Sequence, residues 1–289
     1  MTQIQTCDVS AAREQSSLRA RFDPVSFSLR ALVWLAALTV VVVFMWLVGY
    51  IVIKGLPYLS PRLFEWEYST ENVSMLPAIV ITVLMVVLAL LFAAPVGMGA
   101  AIYLVEYARK GSRLVSLVRL TTESLAGIPS IVYGLFGFLL FVVACGMGFS
   151  ILGGALTLAV MVLPLIMRTT EEAVLSVPDG YREGSFGLGA GKLRTVFRII
   201  LPSAVPGILA GVILSVGRIV GETAALIYTA GTVAQIPDTV FASGRTLAVH
   251  LYALWGEGFN ANQAYATAVV LLIMVTGINA LSATIAARL

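Results

Sequence analysis

The sequence predicts an all-α integral membrane protein with six transmembrane helices, and three observations carry that prediction. Composition comes first: of 289 residues, 59% are hydrophobic and only 11% are charged, with a mean hydropathy of +0.97. Soluble domains carry about 25% charge. The charges are also absent from windows long enough to cross about 30 Å of hydrocarbon. Finally, arginine and lysine fall on alternate sides of those windows.

The elements follow in order. Ala31 to Ile53 is uncharged and forms the first span; the second lies within Met75 to Val105. Ser124 to Met167 carries no charge and is too long for one span. Gly146, Gly148 and Ser150 supply a break, which predicts helices over roughly 124–145 and 151–168. The fifth span runs from about Ser203 to Thr229, and the sixth lies within Asn260 to Ala287. The first apolar core is longer than the 7–15 residues of a cleaved signal peptide, so it reads as an uncleaved anchor.

Basic residues set the orientation. Arg13, Arg19, Arg21 and Arg30 precede the first span; Arg109, Lys110, Arg113 and Arg119 follow the second; Arg168, Arg182, Lys192, Arg194 and Arg198 lie between the fourth and fifth; Arg288 follows the sixth. The opposite side holds Lys54, Arg62 and Arg245, and Arg218 is left inside a span. Both termini are therefore expected in the cytoplasm of a multi-pass protein of the bacterial plasma (inner) membrane. Residues 1–28 form a polar, mobile cytoplasmic tail and 29–289 the six-helix domain, with a cytoplasmic loop at about 169–202.

Several classes of chemistry have nothing to build on. The two cysteines, Cys7 and Cys145, lack redox or metal-ligand spacing, and His250 is the single histidine. No metal site, cofactor or Ser-His dyad is expected. The 18 bases against 15 acids give no reason to invoke nucleic acid.

The polar loop between the fourth and fifth spans is the most specific motif. It reads Glu183-Gly184-Ser185, then Gly189, then Ile199, Leu201 and Pro202. An acid, two small residues, a glycine at fixed distance and a closing Leu-Pro suit a short helix, a tight turn and a helix that re-enters the membrane. An ordinary amphipathic loop is the plainer alternative.

That spacing resembles the coupling loop of ABC-importer permeases, which docks a short helix into a groove of the ATPase subunit. Four further segments join it in order: Ala101 to Ala108 (AIYLVEYA), Leu125 to Gly137 (LAGIPSIVYGLFG), Leu163 to Ala173 (LPLIMRTTEEA) and Arg218 to Ala224 (RIVGETA). Together they are similar to the permeases of phosphate-import ABC transporters, the A-type subunit more than its C-type sister, over about residues 30–287. The resemblance implies the type I ABC-importer permease architecture. Its implied partners are a C-type sister permease, a pair of cytosolic ATP-binding subunits and an external phosphate-binding protein, with inorganic phosphate as cargo and the lipid bilayer as solvent. This chain would form half the pathway without catalysing a reaction, since it lacks a Gly-rich phosphate-binding Lys-Ser/Thr motif. Two departures stand out. Gly184-Ser185 replaces the family's usual pair of alanines, which implies a looser coupling helix. Ile219 and Ala225 stand where Ala and Pro are expected.

Charges inside the membrane face a cavity or a partner. Arg218 is expected near mid-bilayer with Glu222 one turn on, on the same face. Two readings are open: a phosphate site in which Arg218 offers a planar fork of donors and Glu222 steadies it, or a structural salt bridge facing the sister subunit. Arg168 either snorkels to the headgroups or makes a second phosphate contact. Tyr133, one turn beyond Pro129, either lines the pathway or packs. Glu123 reads as a cap or interface residue. Pro95, Pro129, Pro164 and Pro206 fall inside spans, and Gly127-Ile128-Pro129-Ser130 reads as a pathway kink or a close-packing seam. Around Arg245 and His250, the spacing of Leu247, Leu251 and Leu254 predicts a short interfacial helix that touches the binding protein or anchors at the surface.

A C-type sister subunit or a permease for a related oxyanion would share most of these features. A secondary transporter would show more spans and an inverted repeat. A membrane enzyme would need acidic ligands or a nucleophile-base pair.

Overall fold

The computed structural model describes residues 24–109, 111–258 and 260–286. Most of the expected N-terminal tail lies outside the described residues. Within them the chain is helical, with no strand. It divides into two units, Met1–Ile53 and Lys54–Leu289. The described part of the first is one helix: α1 (Pro24–Gly55) covers the expected boundary at residue 29 and is apolar on every face.

The second unit begins with short 3₁₀ turns, then α2 (Leu76–Ile102), which continues as a π-helical turn over Tyr103–Tyr107. After α3 (Arg113–Ala126) and α4 (Ser130–Gly137), extended as a π segment to Ala144, comes α5 (Ile151–Leu175). The loop helix α6 (Asp179–Gly187) precedes α7 (Lys192–Thr195), a π segment over Val196–Ile200 and α8 (Leu201–Val220). The chain closes with α9 (Ala224–Thr229), α10 (Leu247–Glu257) and α11 (Ala261–Ala286). By length and apolarity the described residues hold five spans, or six when α3 and α4 count as one bent span.

α5 is the central rod. In its most apolar window 67% of the residues are buried, against 28% for α2 and for the helix ending in α8, and 22% for α11. Small residues let its neighbours close in. A Cβ on Gly154 would sit 2.8 Å from Met85 of α2 and 2.9 Å from Ala230. This is the packing mode expected where lipid supplies no hydrophobic drive between helices.

Two spans depart from the uniform rods expected. The third does not run from Ser124 to Cys145; α3 and α4 meet at a bend of 104°. Pro129 disfavours helical geometry at Ile128, and the last amides of α3 close on their own turn, Ile128 N–H on Leu125 C=O at 3.1 Å. The other three prolines are absorbed in continuous helices. The fifth span stops at Val220 rather than Thr229, breaks over Gly221–Thr223, and resumes as α9. The segments beyond the breaks, α4 and α9, pack on each other, with Gly134 so close to Ala225 that a Cβ would lie 2.8 Å from its Cα. The fourth span runs two turns past its expected end at 168, to Leu175.

Candidate functional site

Three helices build the site from opposite sides. α3 supplies Arg119, Thr122 and Glu123, α5 the face from Met161 to Leu175, and α8 Arg218; together they line an open cavity of about 510 Å³. Two of its arginines are already neutralised. Arg119 pairs with Glu171 across the α3–α5 contact. Arg168 donates from Nε to Glu172 Oε1 at 3.0 Å, one turn along α5. Arg218 has no ion-pair partner among the described residues and is exposed toward the cavity.

The expected contact between Glu222 and Arg218, as a brace or as a salt bridge, is corrected by this geometry. The break after Val220 carries Glu222 off the face of α8. Its Oε1 accepts from Ala225 N–H at 3.1 Å, in the first turn of α9, and the residue is 9% exposed. The departure at position 225 matters here, since a proline in place of Ala225 would have no N–H to give. Tyr133 is also a brace: its hydroxyl donates to Leu125 C=O at 2.7 Å, tying α4 back to the same carbonyl that Ile128 N–H meets at the bend. Glu123 lies in the last turn of α3, on the cavity wall, rather than at the start of a span.

The loop takes the predicted form of short helix, turn and re-entering helix. Gly189 has φ +81°, a left-handed conformation that suits glycine. Glu183 and Gly184 face solvent, and Leu188 at the turn is 91% exposed. Ser185 is buried and its Oγ lies 2.8 Å from Thr195 Oγ1, which ties α6 to α7. Ser185, the second residue of the small pair, is a tether. Ile199 packs with the cluster of Val174, Val177 and Ile200, Leu201 is half-buried, and Pro202 sits in the first turn of α8.

One residue that the sequence reading counted only for its charge becomes central. Arg182 of α6 reaches Glu106, in the π turn ending α2, at 3.0 Å from Nε and 2.9 Å from Nη2. It also donates to Val174 C=O (2.9 Å), Val177 C=O (2.7 Å) and Asp179 (3.1 Å). Spacing could not reveal a contact between residues 76 positions apart; the only signal was an acid in a motif segment, Ala101 to Ala108, with no local partner. The short helix expected around Arg245 and His250 forms as α10, yet Leu247, Leu254, Arg245 and His250 are all buried, so those side chains offer no outer docking or anchoring surface.

Residues 93–289 match the family described as binding-protein-dependent transport system inner membrane component. The chain belongs to that family. Among relatives of this transport component, the probable ABC transporter permease protein YqgI of Bacillus subtilis (strain 168) is 34% identical over 78% of this chain and 81% of its own. The phosphate transport system permease protein PstA of Mycobacterium leprae (strain TN) is 35% identical over 81% and 79%, and PstA of Yersinia pestis 34% over 84% and 83%. In fold, it resembles a chain of a bacterial ABC transporter involved in import of alginate (TM-score 0.64, 16% identity, 91% of this chain and 98% of that one). The MetNI methionine ABC transporter gives a TM-score of 0.58 at 22% identity, covering 73% and 92%. This transport component is thus a multi-pass membrane protein with the fold of type I ABC-importer permeases.

Proposed function

We propose that the chain is a permease subunit of an ATP-driven importer of inorganic phosphate, forming half of the pathway beside a C-type sister permease and performing no catalysis itself. A pair of cytosolic ATP-binding subunits would receive the α6 loop, an external phosphate-binding protein would deliver cargo at the far face, and both termini would be cytoplasmic. The permeases named for phosphate transport among its relatives support the cargo. The observation that carries the site is Arg218, the arginine of the cavity left without a carboxylate while Arg119 and Arg168 are paired. An unpaired guanidinium on the cavity wall presents a planar fork to two oxygens of one anion. Arg168 and Glu172 lie along the same wall and would hand the anion on by exchanging partners.

Phosphate uptake in a strain lacking this gene, restored by variants, tests the reading. Arg218→Gln should lower uptake by at least 100-fold, about the worth of one charged hydrogen-bonding contact of 3 kcal/mol, while the sister permease and ATPase still co-purify. Glu222→Gln keeps an oxygen for Ala225 N–H and should stay near wild type. The double variant should be as poor as Arg218→Gln. Recovery in the double variant would make Arg218 a structural partner of Glu222, and uptake of sulfate in place of phosphate would move the cargo to another oxyanion.

A further inference from the structure

At the opposite end of the bundle from the α6 loop, the first turn of α10 gathers polar groups that nothing in the transport reading uses. Arg245 is 5% exposed, Thr246 2% and His250 0%. Arg245 Nε and Nη2, Thr246 Oγ1 and both ring nitrogens of His250 are buried with no hydrogen-bond partner. These residues are neighbours through the geometry of a helix start. Thr246 is the N-cap of α10, so Arg245 and His250 occupy the two positions, before the cap and at the fourth helical residue, whose side chains ordinarily meet as an apolar staple. Tyr68 closes the group: its ring lies 4.6 Å from the Arg245 guanidinium carbon and 6.1 Å, edge-on, from the imidazole.

The backbone nearby is satisfied. Arg245 N–H bonds Val233 C=O at 2.9 Å, Leu247 N–H bonds Thr82 Oγ1 at 2.8 Å, and His250 N–H bonds Thr246 C=O at 2.8 Å. What stays open is donor-rich: two nitrogens of a guanidinium, a hydroxyl and one imidazole N–H, beside the imidazole's second, accepting nitrogen, at the positive end of an eleven-residue helix. No carboxylate among the described residues pairs with Arg245. A buried guanidinium left this way is strongly destabilising. Water would satisfy the hydrogen bonds but bring no charge.

We propose that Arg245, Thr246 and His250 form a binding site for a small inorganic anion of the halide class, held at the start of α10. A single negative charge matches the single guanidinium. A sphere that only accepts matches the guanidinium nitrogens, the hydroxyl and the imidazole N–H. A phosphate would bring hydroxyls that need acceptors, and Tyr68 and the imidazole offer few. The anion would fix the join between α10, the N-terminal half of α2 and the outer loop that carries Tyr68.

The test uses the full-length permease in its detergent-solubilised complex. At constant ionic strength, replacing gluconate by chloride should raise the permease Tm by about 2–4 °C once chloride exceeds its dissociation constant roughly tenfold. Arg245→Gln should abolish that rise. Crystals grown in bromide should show an anomalous peak within hydrogen-bond reach of Arg245 Nη2, a result that stands even if Arg245→Gln fails to assemble. A Tm indifferent to chloride, with no halide peak at the site, would overturn the proposal in favour of bound water. A phosphate at the same place would overturn the halide assignment.

Discussion

The protonation of His250 illustrates how far a single residue's behaviour is set by what surrounds it. Burial pushes its pKa from the ordinary 6.5 down to about 3, and the Arg245 charge adds to the effect. The folded protein therefore keeps the imidazole neutral while the unfolded chain protonates below about 6.5. Stability is fully present above that pH and is lost as pH falls from 6.5 toward 3, at up to about 1.4 kcal/mol per pH unit. In gluconate, without small anions, thermal melting should fall between pH 7 and pH 5 for the native chain, and His250→Gln should flatten that dependence. Equal slopes for both proteins would show that the imidazole titrates freely. Ser185 and Ala225 are residue-scale cases too: alanine and proline are expected there, and each makes a hydrogen bond through a group that the expected residue would lack.

At the scale of elements, the loop helix and the second span are joined by one guanidinium. Arg182 and Glu106 are 16% and 8% exposed at their side chains, so water screens the pair little. Removing one partner of a buried pair costs about 3 kcal/mol, and Asp179 with the Val174 and Val177 carbonyls would still hold Arg182. Glu106→Gln should lower the Tm and, if α6 drives α2 through this contact, reduce transport per ATP hydrolysed while the ATPase still co-purifies. A variant that is less stable yet fully coupled would confine the pair to a structural role. The π turn Tyr103–Tyr107 carries Glu106, and a second, Val196–Ile200, joins α7 to α8; both mark where helical register is adjusted beside the loop.

For the molecule as a whole, the proposed orientation is directly measurable. In a background with Cys7 and Cys145 changed to Ser, Thr70→Cys and Thr239→Cys should react from outside with a membrane-impermeant thiol reagent. Ser112→Cys and Leu188→Cys should react only after permeabilisation. The reverse pattern would put the α6 loop outside and remove it from any cytosolic ATPase. The sidedness rests on fourteen basic residues on one face of the membrane against three on the other.

The chain's one-dimensional pattern determined the class, the approximate place of the spans and the loop, because a bilayer demands long uncharged helices and sorts arginine and lysine by side. It determined the turn at Gly189 as well, since a left-handed residue at a helix end is a local requirement. Only the tertiary structure decided which of four intramembrane prolines would break a helix, and that the segments after two separate breaks, α4 and α9, would pack together. It also decided the partners of the charges. Spacing of four placed Glu222 beside Arg218 on an ideal helix, but the chain breaks between them, so Glu222 caps α9 and Arg218 stays open in the cavity. Arg182 and Glu106 meet from positions no periodicity connects, and Arg245 and His250 lie buried where leucine spacing suggested a surface helix. Periodicity reports which face of one helix is apolar; which charge meets which depends on where several helices bend and cross, and packing alone fixes that.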